Sequence, residues 1–151
     1  MANSGRVLIT GATGKVGSAL LDNLANDDIE LRALAHDESE AKSLEGRGAE
    51  AVLGDFLEPE TLRPALEGVG RVFLLTPIHP QQVHQATNVI EAARAARRIG
   101  MSTVGLAGYD GGAMAACDSF DVVLVVDSDS VHRVQEAHSA MIAAIASRPR
   151  T

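Results

Sequence analysis

Arg6-Val7-Leu8-Ile9-Thr10 runs straight into Gly11-Ala12-Thr13-Gly14-Lys15-Val16-Gly17, and the apolar-periodic segment 18–24 follows at once. A short β-branched run, a glycine-spaced loop and a helical pattern in that order read as strand, turn and helix. Each glycine has its own task in such a turn. Gly11 permits the tight exit from the strand, Gly14 lets backbone approach a pyrophosphate, and Gly17 lets the helix pack closely on the sheet. Free N–H groups at the helix start, together with the positive end of its dipole, attract a diphosphate. Gly-x-x-Gly-x-x-Gly is a variant of the dinucleotide fingerprint, and its place after a first strand is what makes it informative. The competing reading is a glycine-rich structural turn.

Working outward, short apolar runs at 6–10, 30–35, 49–54, 71–76, 102–107 and 121–127 alternate with helical patterns at 15–25, 38–46, 59–66, 80–99 and 131–147. Runs apolar on both faces are what strands covered by helices on each side require. Pro59 and Pro80 stand where a first helical turn tolerates proline. The link 111–120 is short, with room for a turn or two of helix. The expected fold is α/β: a single doubly wound, Rossmann-like parallel sheet of order 3-2-1-4-5-6 with helices on both faces. Ligands of such folds bind beyond the carboxyl ends of the strands, at the switch point.

Two further loops lie where a dinucleotide needs partners. The second strand ends at Ala35-His36-Asp37, about twenty residues past Gly17, where an acid binds a ribose 2′-hydroxyl or a cation binds a 2′-phosphate. Asp37 argues for NAD and a protonated His36 for NADP; either is equally read as a solvated loop residue. The third strand ends in Gly54-Asp55-Phe56. There Asp55 can accept from an adenine amino group while Phe56 flanks the ring, or Asp55 can serve as a turn or N-cap residue.

Composition narrows the partners. The 151 residues carry Lys+Arg 13 against Asp+Glu 20, a net charge of −7, so no electrostatic footprint for nucleic acid exists. No apolar run approaches a membrane span, and residues 1–6 lack the apolar core of a signal peptide. The single cysteine, Cys117, fits a reducing compartment, so a cytoplasmic protein is expected. His36, His79, His84, His132 and His138 form no pair at metal-binding helical spacing, and no metal site is expected. The apolar run VVLVV at 122–126 leaves room for a homo-oligomer through an exposed edge.

The segments ITGATGKVGSALLDNL, GDFLEPETLRPAL, RVFLLTP and ATNVIEAARAA, in that order, resemble the NmrA-like, atypical short-chain dehydrogenase/reductase family over residues 6–96. That family includes NAD(P)H-dependent quinone and azo-dye reductases and redox-sensing regulators. The resemblance implies that Gly11, Thr13, Gly14, Lys15, Val16 and Gly17 contact the diphosphate of NAD or NADP. It implies an adenine contact at Asp55 and Phe56, and it sets Thr76 and Pro77 beside the nicotinamide ribose. His36 stands where relatives that use NADP often carry arginine, and Asn88 matches a structural helix residue.

After residue 95 a second resemblance takes over. GMSTVGLAGYDGG, DVVLVVD, SDS and RVQEAH are similar to the end of a sugar isomerase (SIS) domain, nearest the phosphoheptose isomerases. One domain, 1–151, is therefore expected, with a dinucleotide-binding part at 1–95 and a SIS-like part at 96–151. The simplest account of the two is a chimera, recombined or engineered, joined within 91–100. Neither parent's catalytic set is complete. Tyr109 is the only tyrosine and no lysine follows it at the dehydrogenase spacing; the only lysines are Lys15 and Lys42. Gln135 matches the isomerase helix, yet Ala143 stands where that family carries its histidine, and His138 is a different position. The expectation is a dinucleotide-binding module with no catalytic residues of its own. The alternatives are a small NAD(P)H-dependent oxidoreductase acting on a quinone-like acceptor, and a folded chimera that binds no ligand or is a remnant sugar-phosphate binder.

Overall fold

Side chains on the first strand, β1 (Val7–Ile9), point alternately to two cores and so set the layers of the molecule. The computed structural model describes residues 5–75 and 82–146. On one face Val7 and Ile9 meet Leu31, Ala33 and Ala35 of β2 (Leu31–Ala35), with Val16, Leu20 and Leu21 of α1 (Lys15–Leu24) and Leu44 of α2 (Glu38–Glu45). Ile142 of α6 (Val131–Ala146) joins the same cluster, and α6 packs along α1. On the other face Leu8 and Leu34 meet Ala65 of α3 (Leu62–Leu66), which continues a 3-10 turn at Pro59–Thr61. The alternation in β1 and β2 is the reason helices are needed on both sides.

β1 pairs in parallel with β2 and with β4 (Arg71–Phe73), and β2 pairs with β3 (Glu50–Leu53), giving the order β3-β2-β1-β4. After α4 (Gln82–Arg98), β5 (Val104–Gly108) and β6 (Val122–Val126) pair in parallel with each other. The short α5 (Gly112–Ala116) links them, as the length of that connection predicts. Helices cover both faces of this pair. A side chain at Gly105 would strike Met114 of α5 at 2.6 Å, and one at Gly108 would strike Val134 of α6 at 2.8 Å.

One detail departs from the expected 3-2-1-4-5-6. Among the described residues β4 and β5 form no ladder, so the sheet is four strands plus a pair rather than six continuous strands. Alanines 92, 93, 95 and 96 of α4 line a pocket at this seam together with Val72 and Val104. The last part of the expected fourth strand, at Thr76, lies outside the described residues.

Two polar groups inside this framework are structural. Arg32, 5% exposed in the middle of β2, pairs through Nε and Nη2 with both oxygens of Glu50, its register partner on β3, at 3.0 and 3.1 Å. Its Nη1 donates to the carbonyls of Pro64, Ala65 and Glu67 at the end of α3, adding to the backbone bonds from Glu67 and Val69 N–H that close this helix terminus. At the start of the second pair, the backbone N–H and Oγ1 of Thr103 both donate to Asp121 Oδ2. These donors hold the Asp121 carboxyl below its ordinary value, with the Arg97 guanidinium adding to the effect.

Arg32→Met should cost about 2–4 kcal/mol in urea denaturation, since it removes the donor to the buried Ala65 carbonyl and the partner of Glu50. The hydrogen bond from Arg32 lowers the Glu50 carboxyl below 4.5, against an opposing pull from desolvation. A depressed folded-state value gives stability that is present above 4.5 and lost as pH falls through the folded value. The acid limb of a stability–pH curve should therefore flatten in Glu50→Gln, while the curve near neutral pH keeps its shape.

Candidate functional site

The carboxyl ends of β1 and β4 are tied by one buried hydroxyl. Thr10, 2% exposed, accepts from Leu75 N–H at 2.7 Å and donates from Oγ1 to the Leu75 carbonyl at 2.8 Å. The side chain thus continues the ladder by one step where the backbone turns away. Gly11 then adopts φ +59, so close to Leu75 that a β-carbon there would lie 3.1 Å from the leucine's own. A non-glycine residue would meet both a steric and a conformational cost at this point.

Gly17 is the tightest position in the loop. A β-carbon on it would stand 2.2 Å from the Gly11 carbonyl oxygen and 2.8 Å from Ala12 Cα, all backbone that no side-chain rotation relieves. Helix α1 therefore starts pressed onto the loop it leaves. Its N-cap is Gly14, extended at φ −74 and ψ 170, with no side chain capping the first turn and no acidic residue in that turn. The Ser18 hydroxyl, the nearest candidate, donates to the Ala12 carbonyl instead. Thr13, Gly14 and Lys15 are exposed, while Val16 and Gly17 are buried. Uncapped first-turn amides, a lysine beside them and no carboxylate in the turn form a cradle of the chemistry a diphosphate needs. A cofactor with that linker fits the residues present.

The second and third strands bring four polar side chains to the same end of the sheet. Asp37 is the N-cap of α2, its Oδ1 accepting from Glu40 N–H at 2.8 Å. Glu40 answers with both oxygens, one accepting from Thr13 Oγ1 at 3.0 Å and the other from His36 N–H at 2.8 Å. His36 Nδ1 lies 3.7 Å from Asp55 Oδ2. Asp55 also closes the turn after β3, with Oδ1 accepting from Leu57 N–H. The glycine loop, His36, Asp37 and Asp55 therefore stand together. Glu40 belongs with them and was not among the expected residues; its signal was the Asp-x-x-Glu spacing of a helix start.

Phe56 is placed differently from the expectation. Its ring packs against the Leu8–Leu34–Ala65 cluster on the far face, and Asn88 of α4 donates to its carbonyl at 2.6 Å. An aromatic side chain one residue past the strand gains more from that apolar core than from an exposed loop. Asn88 is thus structural, as the resemblance implies. Thr76 and Pro77 lie outside the described residues. In the tail, Tyr109 takes φ 55 and is exposed, and Asp110 Oδ1 accepts from Gly112 N–H, which makes this segment a turn. His138 is buried, with Nε2 3.1 Å from the Ala107 carbonyl. The Ser130 carbonyl opens α6 by accepting from Val134 N–H. Among the described residues no group of metal-binding side chains converges, and no helix is long and apolar enough to cross a membrane.

Gly17→Ala should lower stability by about 1–3 kcal/mol in urea denaturation, although alanine is the better helix former by roughly 1 kcal/mol. Gly14→Ala, whose β-carbon would meet only the Gly11 carbonyl oxygen at 3.3 Å, should cost measurably less.

Comparison with known proteins agrees with this geometry. A family model described as NAD(P)H-binding matches residues 11–148. An NAD(P)H azoreductase of Xenophilus azovorans is 39% identical over 90 residues, which is 60% of this chain and 32% of that protein. The chain thus spans about a third of that reductase. A phosphoheptose isomerase of Helicobacter pylori (strain HPAG1) is 30% identical over 145 residues, covering 94% of this chain and 72% of the isomerase. The isomerase likeness accordingly reaches well upstream of residue 96. Among solved structures, an NADPH-dependent quinone oxidoreductase from Escherichia coli superposes with a TM-score of 0.65 at 20% identity, over 95% of this chain and 64% of that one. That likeness speaks for the doubly wound α/β fold. Matched from the glycine loop to the last helix, the chain belongs to the NAD(P)H-binding family, and its match to the Helicobacter enzyme makes it a member of the phosphoheptose isomerase family as well.

Proposed function

We propose that this chain is a dinucleotide-binding module that holds NAD(H) in preference to NADP(H) and carries no complete catalytic set. The observation that supports it best is the uncapped, carboxylate-free start of α1, pressed against Gly11 through Gly17. In this reading the amides of Lys15, Val16 and Gly17 hold the diphosphate, with Thr13, Gly14 and the Lys15 ammonium beside it. His36, Asp37 and Asp55 attend the adenosine ribose and base, and Thr76 and Pro77 attend the nicotinamide ribose. The preference follows from Glu40, whose carboxylate is fixed between Thr13 and His36 and adds its charge to those of Asp37 and Asp55. A ribose 2′-phosphate brought there meets like charge.

When bound, the cofactor supplies a hydride donor or acceptor; the chain's residues bind and orient it. A second reading, a small NAD(P)H-dependent oxidoreductase, is favoured by the azoreductase relative. The composite origin of the tail belongs to the same proposal. Gln135 is present and Ala143 stands where the isomerase histidine would be, so no isomerisation is expected of it. A cytoplasmic setting goes with the single unpaired Cys117. Self-association goes with the exposed Val122 and Val125 of β6.

Thermal melts with NADH and NADPH test the core of this, because a ligand of the folded state raises stability by RT ln(1 + [L]/Kd). NADH should raise the melting temperature at lower concentration than NADPH, by roughly twofold to fivefold, the size of an exposed charge contact. Glu40→Gln should narrow the difference, and Gly14→Asp should abolish both shifts. No shift with either nucleotide overturns the module. Quinone-dependent NADH or NADPH oxidation above background would replace it with the oxidoreductase, and a melting shift with sedoheptulose 7-phosphate would revive the sugar-phosphate reading.

A further inference from the structure

A partly open apolar pocket of about 250 Å³ lies at the seam between β4 and β5, on the face of the sheet opposite α1. Leu8, Leu34 and Val72 line it from the sheet, Ala93 and Ala96 from α4, and Phe120 from the tail. Among the described residues that line it none is charged, and the hydroxyls are those of Thr10, Ser102 and Thr103. The two threonines on its wall are already committed. Thr10 Oγ1 donates to the Leu75 carbonyl, and Thr103 Oγ1 donates to Asp121 Oδ2 at 3.0 Å. Water held there would find few partners, and a polar ligand would lose hydrogen bonds on entry.

We propose that this cavity is a binding site for a small, neutral, apolar molecule, of the size of one aromatic ring or a short branched aliphatic chain. The argument is one of volume and chemistry. Dry apolar cavities of about 150 Å³ already admit benzene, whereas drug-sized ligands take pockets of roughly 300 Å³ or more. Alanines on α4 leave the space; leucines would fill it. The pocket lies on the opposite face of the sheet from α1 and meets the floor of the glycine loop only at Thr10, and its test is read without dinucleotide.

Toluene is the probe, titrated into the full chain and followed by methyl NMR and thermal melting. Saturable shifts are expected at Leu8, Leu34 and Val72 methyls, and toluene at about four times its Kd should raise the melting temperature by about 2–4 °C. Phenol should bind more weakly than toluene. Ala93→Leu and Ala96→Leu, which fill the cavity from the helix, should each raise the melting temperature of the free protein and remove the toluene response; one folded variant suffices. Methyl resonances that do not move up to the solubility limit of toluene overturn the proposal. So does an undiminished response in a filled variant.

Discussion

The architecture depends on a contact that leaves no room for a side chain, the approach of Gly17 to the Gly11 carbonyl. This contact lets α1 begin where the loop ends and brings Val16, Leu20 and Leu21 down onto Val7 and Ile9. The same closeness aims the first-turn amides of α1 outward past the sheet. Packing and ligand chemistry are therefore one constraint here. Thr10 supports it from below by joining the β1 exit to Leu75, so the floor of the loop is held by hydrogen bonds rather than by strand pairing.

Around that floor the charged groups are used economically. Glu40 and Asp37 cap one helix and at the same time fix Thr13 and the backbone of His36. Arg32 closes α3 from the interior of a strand while pairing across to β3. Each of these groups joins two elements that local sequence leaves unconnected, which is how short strands of three to five residues stay in register.

Much of this was legible in the chain because it is local. The glycine spacing, the first strand and the starts of helices at Lys15, Glu38 and Val131 follow from patterns within a few residues. The break between β4 and β5 was not, since strand pairing is decided between segments far apart in sequence. Phe56 shows the same limit. Its position after β3 is readable, but its direction is decided by Leu8 and Leu34. Arg32 lies inside a run read as apolar, and only the register that sets it opposite Glu50 gives it a purpose.

The place of Ile142 carries a consequence for the order in which the chain is made. It is buried at 3% in the same cluster as Val7 and Leu20, yet it is made only after α2, α3, α4 and α5 have followed them. The groove along α1 into which α6 settles must wait, uncovered, through the synthesis of every intervening segment. Domains tend to fold as units during synthesis. In this one a layer that begins at β1 is closed by α6, which makes the arrival of α6, rather than emergence of the glycine loop, the step at which that layer becomes secure.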